Sequence, residues 1–444
     1  MSNYLITQGS VVNEGQIDVL DIRIQGQRIL EIGKHLKARA NERVIDAHNQ
    51  WVMPGMIDDQ VHFREPGLMH KGEIATESAA AVVGGITSYM EMPNTLPVTA
   101  TEADLLEKIH RAQGKSLANF AFYLGATNKN LGDIQRLNPR LACGIKVFMG
   151  SSTGDLVVDS DAALEGIFRD APIVVVTHCE DDGTIRRNLI RYQEAYGDTI
   201  PMIEHPMIRS RESCLLSSQK AIGLAKRFGT QLHILHLTTE HELALFDKGS
   251  VGSKNITAEV CVHHLWFSEK DYTRLGALIK CNPSIKQERD RGALLKAVQE
   301  DQIDIIATDH APHTWDEKHQ LYTKAPSGLP LVQHALLMLL EFYHQGLFSL
   351  EKIVQKTSHA VAQRFQIQDR GFIREGYFAD LVIVDPQNAQ TVKKQDLLYK
   401  CAWSPLEGTQ FQSKIVMTFV NGHPVYQDGM LDRSRLGMAL AFDR

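Results

Sequence analysis

The sequence contains no paired-cysteine motif, no long apolar run and no basic cluster. Its six cysteines are scattered without a Cys-x-x-Cys pair, and we interpret them as reduced, buried thiols, which predicts a cytoplasmic protein. No apolar run is long enough to span a bilayer, and the first residues lack the basic and apolar regions of a signal peptide. Because the formal charge of -6 is spread along the chain, we expect neither a nucleic-acid partner nor a membrane partner.

The two ends of the chain have the pattern of short strands and turns. Ile17 to Ile24 alternates apolar and polar residues, and near the C-terminus Ile415–Val420 precedes Asn421-Gly422, a strong hairpin signal. Chain ends often lie close together in folded domains. We therefore predict a small composite β-sandwich domain built from residues 1–54 and 370–444.

Between these ends, short β-branched runs alternate with helical patterns, as expected for parallel βα units. Eight strands are predicted: Ile57–Phe63, Ile86–Met92, Phe120–Gly125, Gly144–Met149, Ile173–His178, Gln231–Leu237, Ile256–Val262 and Ile303–Thr308. Eight such units predict an α/β fold of the (β/α)8 TIM-barrel type over residues 55–369. A doubly wound open sheet is the alternative, but no Gly-rich phosphate motif follows the first strand.

Polar residues stand on these predicted strands or at their ends. They include His62, Lys146, His178, His236 and Asp309. In a (β/α)8 barrel all strand C-termini open onto one face, so these side chains would converge there. Neutral imidazoles and carboxylates are the usual ligands of catalytic zinc. The pattern therefore favours a metal-dependent active site.

Each of these residues also has a simpler interpretation. A strand-end histidine is often only a hydrogen-bonded polar residue, Lys146 could extend to solvent, and Asp309 could cap the following segment. The same simple interpretation is given to His241, His359 and the His263-His264 pair, although the pair after the seventh strand could line the pocket. The coincidence of so many such residues at matching strand ends favours a site over separate simple roles.

Several motifs carry a resemblance to a known family. In order they are Asp58…His62-Phe63-Arg64-Glu65-Pro66-Gly67, Met92-Pro93-Asn94-Thr95, Gly144-Ile145-Lys146, Thr308-Asp309-His310-Ala311-Pro312-His313 and Ile373–Val382. Over nearly its whole length the sequence resembles the dihydroorotases of the amidohydrolase superfamily. The resemblance implies a zinc enzyme that interconverts N-carbamoyl-L-aspartate and L-dihydroorotate in pyrimidine synthesis, and it implies a homodimer acting on a small molecule.

The resemblance also implies a role for each site residue. His62 and Asp309 would hold a first zinc ion, His178 and His236 a second, and Lys146 would carry a carbamate that bridges them. Asp309 would also accept the proton of the attacking water and pass it to the leaving nitrogen. The substrate contacts implied in the same way are Arg64, Asn94, Asn282 and His313.

One residue departs from the family pattern. The dihydroorotases usually have His-x-His where this chain has Gln60-Val61-His62. A glutamine oxygen is neutral and a poorer zinc ligand than imidazole. We therefore predict a site that holds one zinc ion, or two with unequal affinity.

Two other functions remain open at this point. One is a related cyclic amidohydrolase, either a hydantoinase or an allantoinase, and such enzymes generally lack an arginine at the position of Arg64. The other is a catalytically silent partner of aspartate transcarbamoylase, which Gln60 would favour because silent relatives lose metal ligands. Retention of Lys146, His178, His236 and Asp309 favours an active enzyme.

Overall fold

The structure is a computed structural model that describes residues 3–150 and 154–444. The strands in chain order are β1 (Asn3–Asn13), β2 (Gln16–Gln25), β3 (Arg28–Gly33), β4 (Glu42–Asp46), β5 (Trp51–Pro54), β6 (Met56–Val61), β7 (Ile86–Glu91), β8 (Asn119–Phe122), β9 (Leu124–Gly125), β10 (Ile145–Phe148), β11 (Val175–His178), β12 (Leu232–Ile234), β13 (Ile256–Cys261), β14 (Ile305–Ala307), β15 (Leu381–Asp385), β16 (Gln390–Thr391), β17 (Gln410–Phe411), β18 (Lys414–Val420), β19 (His423–Gln427) and β20 (Met430–Leu431).

The α-helices lie mostly between the strands of the middle region. They are α1 (Ile74–Val83), α2 (Glu102–Ala112), α3 (Leu131–Arg136), α4 (Asp161–Asp170), α5 (Asp182–Tyr196), α6 (His205–Ile208), α7 (Arg211–Phe228), α8 (Glu240–Leu243), α9 (Val262–Trp266), α10 (Tyr272–Leu275), α11 (Glu288–Gln299), α12 (Trp315–Lys318), α13 (Ala335–His344), α14 (Leu350–Val354) and α15 (Ala360–Phe365). Among the described residues, no helix is long and apolar enough to cross a bilayer.

Local signals explain where the longer helices begin and end. Before α2, the Thr101 hydroxyl accepts from the Asp104 N–H at 3.2 Å, and Asp104 accepts from the Thr101 N–H at 2.9 Å, which satisfies two free donors of the first turn. Helix α7 ends at Gly229, whose φ of 73° suits a residue without a Cβ.

Parallel strands β6 to β14 form the barrel. The order is β6-β7-β8 in one run and β9-β10-β11-β12-β13-β14 in the other, with β8 and β9 sharing one strand position. A parallel bridge between Val61 and His310 closes the barrel, and the His62 N–H donates to His310 O at 2.8 Å. The predicted (β/α)8 barrel is therefore confirmed, and the open-sheet alternative is wrong.

The barrel strands are shorter than predicted. The first ends at Val61 rather than Phe63, and the last covers only Ile305–Ala307. His62 and Asp309 consequently lie just beyond their strands, in irregular backbone. The site is thus built from strand-to-helix connections, as in other barrels of this type.

Both chain ends contribute to a second sheet of nine strands. Its order is β20-β19-β18-β15-β5-β1-β2-β3, with β4 paired to β1. Strand β5 pairs parallel to β1 and antiparallel to β15, so N-terminal and C-terminal segments are directly hydrogen-bonded. The predicted hairpin is also confirmed, because Asn421 and Gly422, with φ of 51° and 73°, join β18 to β19 in the left-handed conformation of a type I′ turn.

A buried polar network joins this sheet to the barrel. The Asp380 carboxylate accepts from Asn119 Nδ2 at 3.1 Å and from the Asn421 N–H at 2.7 Å, and it forms an ion pair with Arg370. All four residues are buried, with exposed fractions between 0% and 6%. The charge of Asp380 is therefore balanced only within this junction.

We predict that Asp380→Ala destabilises the protein by about 3–5 kcal/mol, because removal of one partner leaves the buried Arg370 charge uncompensated. The control is Asp161→Ala, which removes an exposed ion pair with Lys220 (2.7 Å) and should leave stability unchanged. Urea unfolding followed by circular dichroism measures both. Equal unfolding midpoints for the two variants would contradict the role of the junction.

Candidate active site

A cavity of about 90 Å³ opens at the C-terminal ends of the barrel strands. Its lining is Gln60, His62, Arg64, Asn94, Lys146, Phe148, His178, His236, Asn282, Asp309, Ala311, Ser327 and Gly328. The structure thus brings together all five predicted metal ligands and three of the four predicted substrate contacts. The fourth, His313, lies behind Arg64, with its Nε2 atom 3.0 Å from Arg64 Nη2.

His178 and His236 face each other across the pocket. His178 Nδ1 lies 3.0 Å from His236 Nε2, and His178 Nε2 lies 2.9 Å from a carboxylate oxygen of Glu180. Glu180 in turn is paired with Arg209. A proton on Nε2 that is donated to Glu180 leaves the Nδ1 lone pair of His178 directed at His236.

His62 and Asp309 form a second pair of the same kind. His62 Nδ1 lies 2.7 Å from Asn94 Oδ1, so this nitrogen carries the proton, and His62 Nε2 lies 3.0 Å from Asp309 Oδ1. Burial would raise the pKa of Asp309, but its interaction with the neighbouring His62 ring holds it below its ordinary value. Asn94 therefore fixes the orientation of a predicted ligand.

These two pairs fit metal ligation. Burial lowers the pKa of His62, His178 and His236, which favours the neutral imidazole that binds metals. Ligands bound to one zinc ion at about 2.0–2.1 Å lie about 3.3 Å apart in a tetrahedron, close to the 3.0 Å separation within each pair. Glu180 and Asn94 supply the outer hydrogen bonds that orient ligating histidines.

Lys146 lies inside the pocket rather than reaching solvent. Its side chain is buried, with an exposed fraction of 1%, so the solvent-exposed interpretation is wrong. Burial lowers the pKa of Lys146 to about 8. A larger fraction of its amine is therefore neutral near physiological pH than for an ordinary lysine, and the neutral form is the one that reacts with carbon dioxide.

Arg64 is a buried cation without a carboxylate partner. Its Nε donates to Pro312 O at 3.1 Å, and its exposed fraction is 7%. Burial lowers its pKa to about 10, so the guanidinium remains charged at neutral pH. No carboxylate oxygen of the described residues lies within 4.0 Å of it. A carboxylate ligand in the pocket would balance this charge.

Two further features mark the pocket as a binding site. Asn282 Oδ1 is buried there without a hydrogen-bond partner in the described structure. Arg64, His236 and Asp309 have left-handed backbone, with φ of 72°, 42° and 47°. Such conformations cost about 1–3 kcal/mol each and cluster at functional sites.

Gln60 lines the pocket beside His62 and is almost fully buried. Its Oε1 atom lies 3.7 Å from the Cys261 thiol, which contributes a weak hydrogen bond. His263 and His264, which follow the same strand as Cys261, are buried but do not line the described cavity. At the predicted first metal position, His62 and Asp309 offer an imidazole and a carboxylate, whereas Gln60 offers only a neutral amide.

Some residues of the site were missed by sequence reasoning. Glu180 stands two residues after His178, a spacing that places it on the same side of an extended segment. Ser327 and Gly328 come from the segment after the eighth strand, and no local pattern marks them. A cluster of Asp59, His233 and Glu259, whose ligand atoms lie within 4.8 Å of one another, was also missed because its members are distant in sequence.

Comparison with known proteins gives consistent matches. Residues 49–241 match the dihydro-orotase-like family and residues 220–425 the amidohydrolase family. A dihydroorotase of Halobacterium salinarum is 34% identical over 91% of this chain and 92% of its own length. An allantoinase of Bacillus velezensis is 30% identical over 97% of this chain and 95% of its own length. The L-hydantoinase structure from Arthrobacter aurescens superimposes with a TM-score of 0.92 at 25% identity, covering 99% of this chain and 100% of that one.

The chain belongs to the amidohydrolase family, whose enzymes are generally metal-dependent. Within that family its relatives include dihydroorotases, an allantoinase and hydantoinases. The protein is therefore a hydrolase that acts on cyclic amides, and the resemblance seen in the motifs is confirmed.

We predict that Glu180→Gln weakens metal binding in the pocket by about 10- to 100-fold, because His178 loses the charged acceptor that orients its ring. Competition with a chromogenic chelator measures this affinity. The control is Glu165→Gln, which changes an exposed pair with Arg227. If both variants retain metal as the unchanged protein does, Glu180 has no part in ligand orientation.

Proposed function

We propose that this protein is a dihydroorotase, which interconverts N-carbamoyl-L-aspartate and L-dihydroorotate in pyrimidine synthesis. The observation that carries the proposal is the buried Arg64 guanidinium without a carboxylate partner in the described chain. A buried charge without a direct ion-pair partner is costly. A substrate that brings its own carboxylate into the pocket removes that cost, and dihydroorotate carries one beside its cyclic amide.

The metal ligands support the same reaction. We infer that His62 and Asp309 hold one zinc ion and that His178 and His236 hold another. Lys146 would bridge them as a carbamate, because an ammonium repels cations whereas a carbamate supplies anionic oxygens. Zinc bound here would supply Lewis acidity toward the amide carbonyl and the attacking water.

The remaining chemistry belongs to the side chains of this chain. The lowered pKa of Asp309 keeps its carboxylate ionised, which is the form that can accept a proton. It would take the proton of the attacking water and deliver it to the ring nitrogen as the amide bond breaks. Arg64 would hold the substrate carboxylate with parallel hydrogen bonds, and the free Asn282 Oδ1 would accept from the ring.

Hydantoinase or allantoinase activity is the alternative supported by the relatives. Neither hydantoin nor allantoin carries a ring carboxylate, so either substrate would leave the buried Arg64 charge unbalanced. A silent partner of aspartate transcarbamoylase has no need for oriented His178 and His236, a buried Lys146 or strained backbone at Asp309. These features support an active dihydroorotase.

The proposal retains three expectations derived from the sequence. The chain would divide into a barrel of residues 55–369 and a composite β-domain of residues 1–54 and 370–444, which the pairing of β5 with β15 supports. The enzyme would act as a homodimer, as the family resemblance implies, and in the cytoplasm, as its scattered cysteines indicate.

The substrate is tested by comparing the hydrolysis of L-dihydroorotate, allantoin and hydantoin. We expect dihydroorotate to be preferred. Arg64→Gln should lower kcat/KM for dihydroorotate by about 30- to 5,000-fold, because it removes one partner of a buried charge pair, and should change any allantoin turnover much less. The control is the exposed Arg227→Gln. Faster turnover of allantoin than of dihydroorotate would contradict the proposal.

The predicted weakness of zinc binding at the position beside Gln60 is tested with the variant Gln60→His. We expect this variant to gain about one bound metal ion per chain relative to the unchanged protein, because imidazole binds zinc better than a neutral amide does. The control is Gln60→Asn, and plasma mass spectrometry counts the metal. Equal metal content in all three proteins would contradict the prediction. An inactive unchanged protein whose Gln60→His variant gains both metal and activity would favour the silent-partner function.

A further inference from the structure

Three charged or titratable side chains meet inside the barrel without forming part of the pocket lining. Asp59 lies on β6, His233 on β12 and Glu259 on β13, and all three have exposed fractions of 0%. Aromatic Phe365 packs against the His233 ring, with 5.8 Å between centroids. The group is therefore sealed from solvent below the pocket, and it is formed by strands from both halves of the barrel.

The polar atoms of this group point at one another. His233 Nε2 lies 3.3 Å from Asp59 Oδ2 and 3.6 Å from Glu259 Oε2. These atoms, together with Asp59 Oδ1, have no hydrogen bond of acceptable geometry in the described structure. Buried polar atoms are normally satisfied, so four such atoms in one place require an explanation.

A hydrogen bond on the far side of the His233 ring determines which atom faces the carboxylates. The Thr257 hydroxyl donates to Leu232 O at 3.4 Å, so its oxygen is free to accept from His233 Nδ1 at 2.8 Å. In the neutral ring the Nε2 lone pair then faces Asp59 and Glu259. Three acceptors directed at one point repel each other unless a cation lies between them.

The described protein supplies no lysine or arginine cation to this group, although the neighbouring carboxylates of Asp59 and Glu259 raise the pKa of His233 itself. No lysine or arginine nitrogen among the described residues lies within 4.0 Å of the Asp59 or Glu259 carboxylates, whose only ion-pair partner at that distance is His233. Two carboxylates in a dry interior carry a large desolvation cost when they are unpaired. The balancing charge must therefore come from bound protons or from a bound ion.

We propose that Asp59, His233 and Glu259 bind a divalent transition-metal ion, best matched by Zn²⁺, at an interior site separate from the catalytic pocket. Zinc ligands at about 2.0–2.1 Å lie about 3.3 Å apart in a tetrahedron, and the two separations from His233 are 3.3 Å and 3.6 Å. One imidazole with two carboxylates suits zinc, whereas magnesium prefers oxygen ligands alone. Thr257 supplies the outer hydrogen bond that a ligating histidine needs.

Glu259 connects this interior site to the pocket above it. The oxygen that does not face His233, Oε1, accepts from the His236 N–H at 3.1 Å and from the Cys261 thiol at 3.5 Å. The two oxygens of the Glu259 carboxylate therefore have different partners. Oε2 would bind the interior ion, while Oε1 holds the strained backbone of His236, whose φ is 42°.

The direct test is anomalous diffraction at the zinc absorption edge from crystals of the unchanged protein grown with Zn²⁺. We expect a peak between Asp59 Oδ2, His233 Nε2 and Glu259 Oε2, apart from any peak at His178 and His236. This measurement requires no substitution and no activity, so it is independent of the proposed reaction. Absence of density between the three residues would overturn the inference and indicate that bound protons balance the charge.

Metal counting provides the second test. A count of zinc ions per chain includes any ion in the pocket as well as the interior ion. The count is therefore made in a His178→Ala, Asp309→Asn variant, which lacks two of the pocket ligands. This variant should retain about one zinc ion per chain, and adding Asp59→Asn or His233→Gln should remove it, whereas adding the exposed Asp161→Asn should not. A count unchanged by Asp59→Asn and His233→Gln would overturn the proposal.

Discussion

Closure of the barrel between β6 and β14 is the constraint on which the site depends. The Thr308 hydroxyl donates to Asp58 Oδ2 at 2.6 Å, the Thr308 N–H donates to Asp58 Oδ1 at 3.2 Å, and the His62 N–H donates to His310 O at 2.8 Å. These bonds hold the first and last strands together although they are far apart in sequence. His62 and Asp309 lie next to each other only because these hydrogen bonds join the first barrel strand to the last.

Buried charges lie close to this contact between the first and last barrel strands. Burial raises the pKa of Asp58 to about 7, and a few residues away Arg64 and Asp309 hold opposite charges in the pocket. Arg64 has no carboxylate partner among the described residues, and Asn282 Oδ1 has no hydrogen-bond partner there, so the substrate class is inferred from these two groups.

Sequence patterns were sufficient to predict the architecture and many of the pocket residues, and the reason is physical. Parallel barrel strands such as β11 and β14 are buried on both faces and are mostly apolar, so polar residues at their ends, such as His178 and Asp309, stand out. The exact strand ends could not be predicted, because His236 and Asp309 adopt left-handed backbone that propensity does not anticipate. Contacts across the barrel, such as that between Asp59 and His233, depend on strand order and tilt, which periodicity does not contain.

The pairing of β5 with β15 has a consequence for biosynthesis. Strand β5 leads through Gly55, whose N–H donates to Asp380 O at 2.9 Å, directly into the strand that precedes His62. The hydrogen bond that anchors this first barrel segment therefore comes from residues that follow the barrel in the chain. A growing chain that contains the barrel but not yet β15 lacks this anchor at the start of β6.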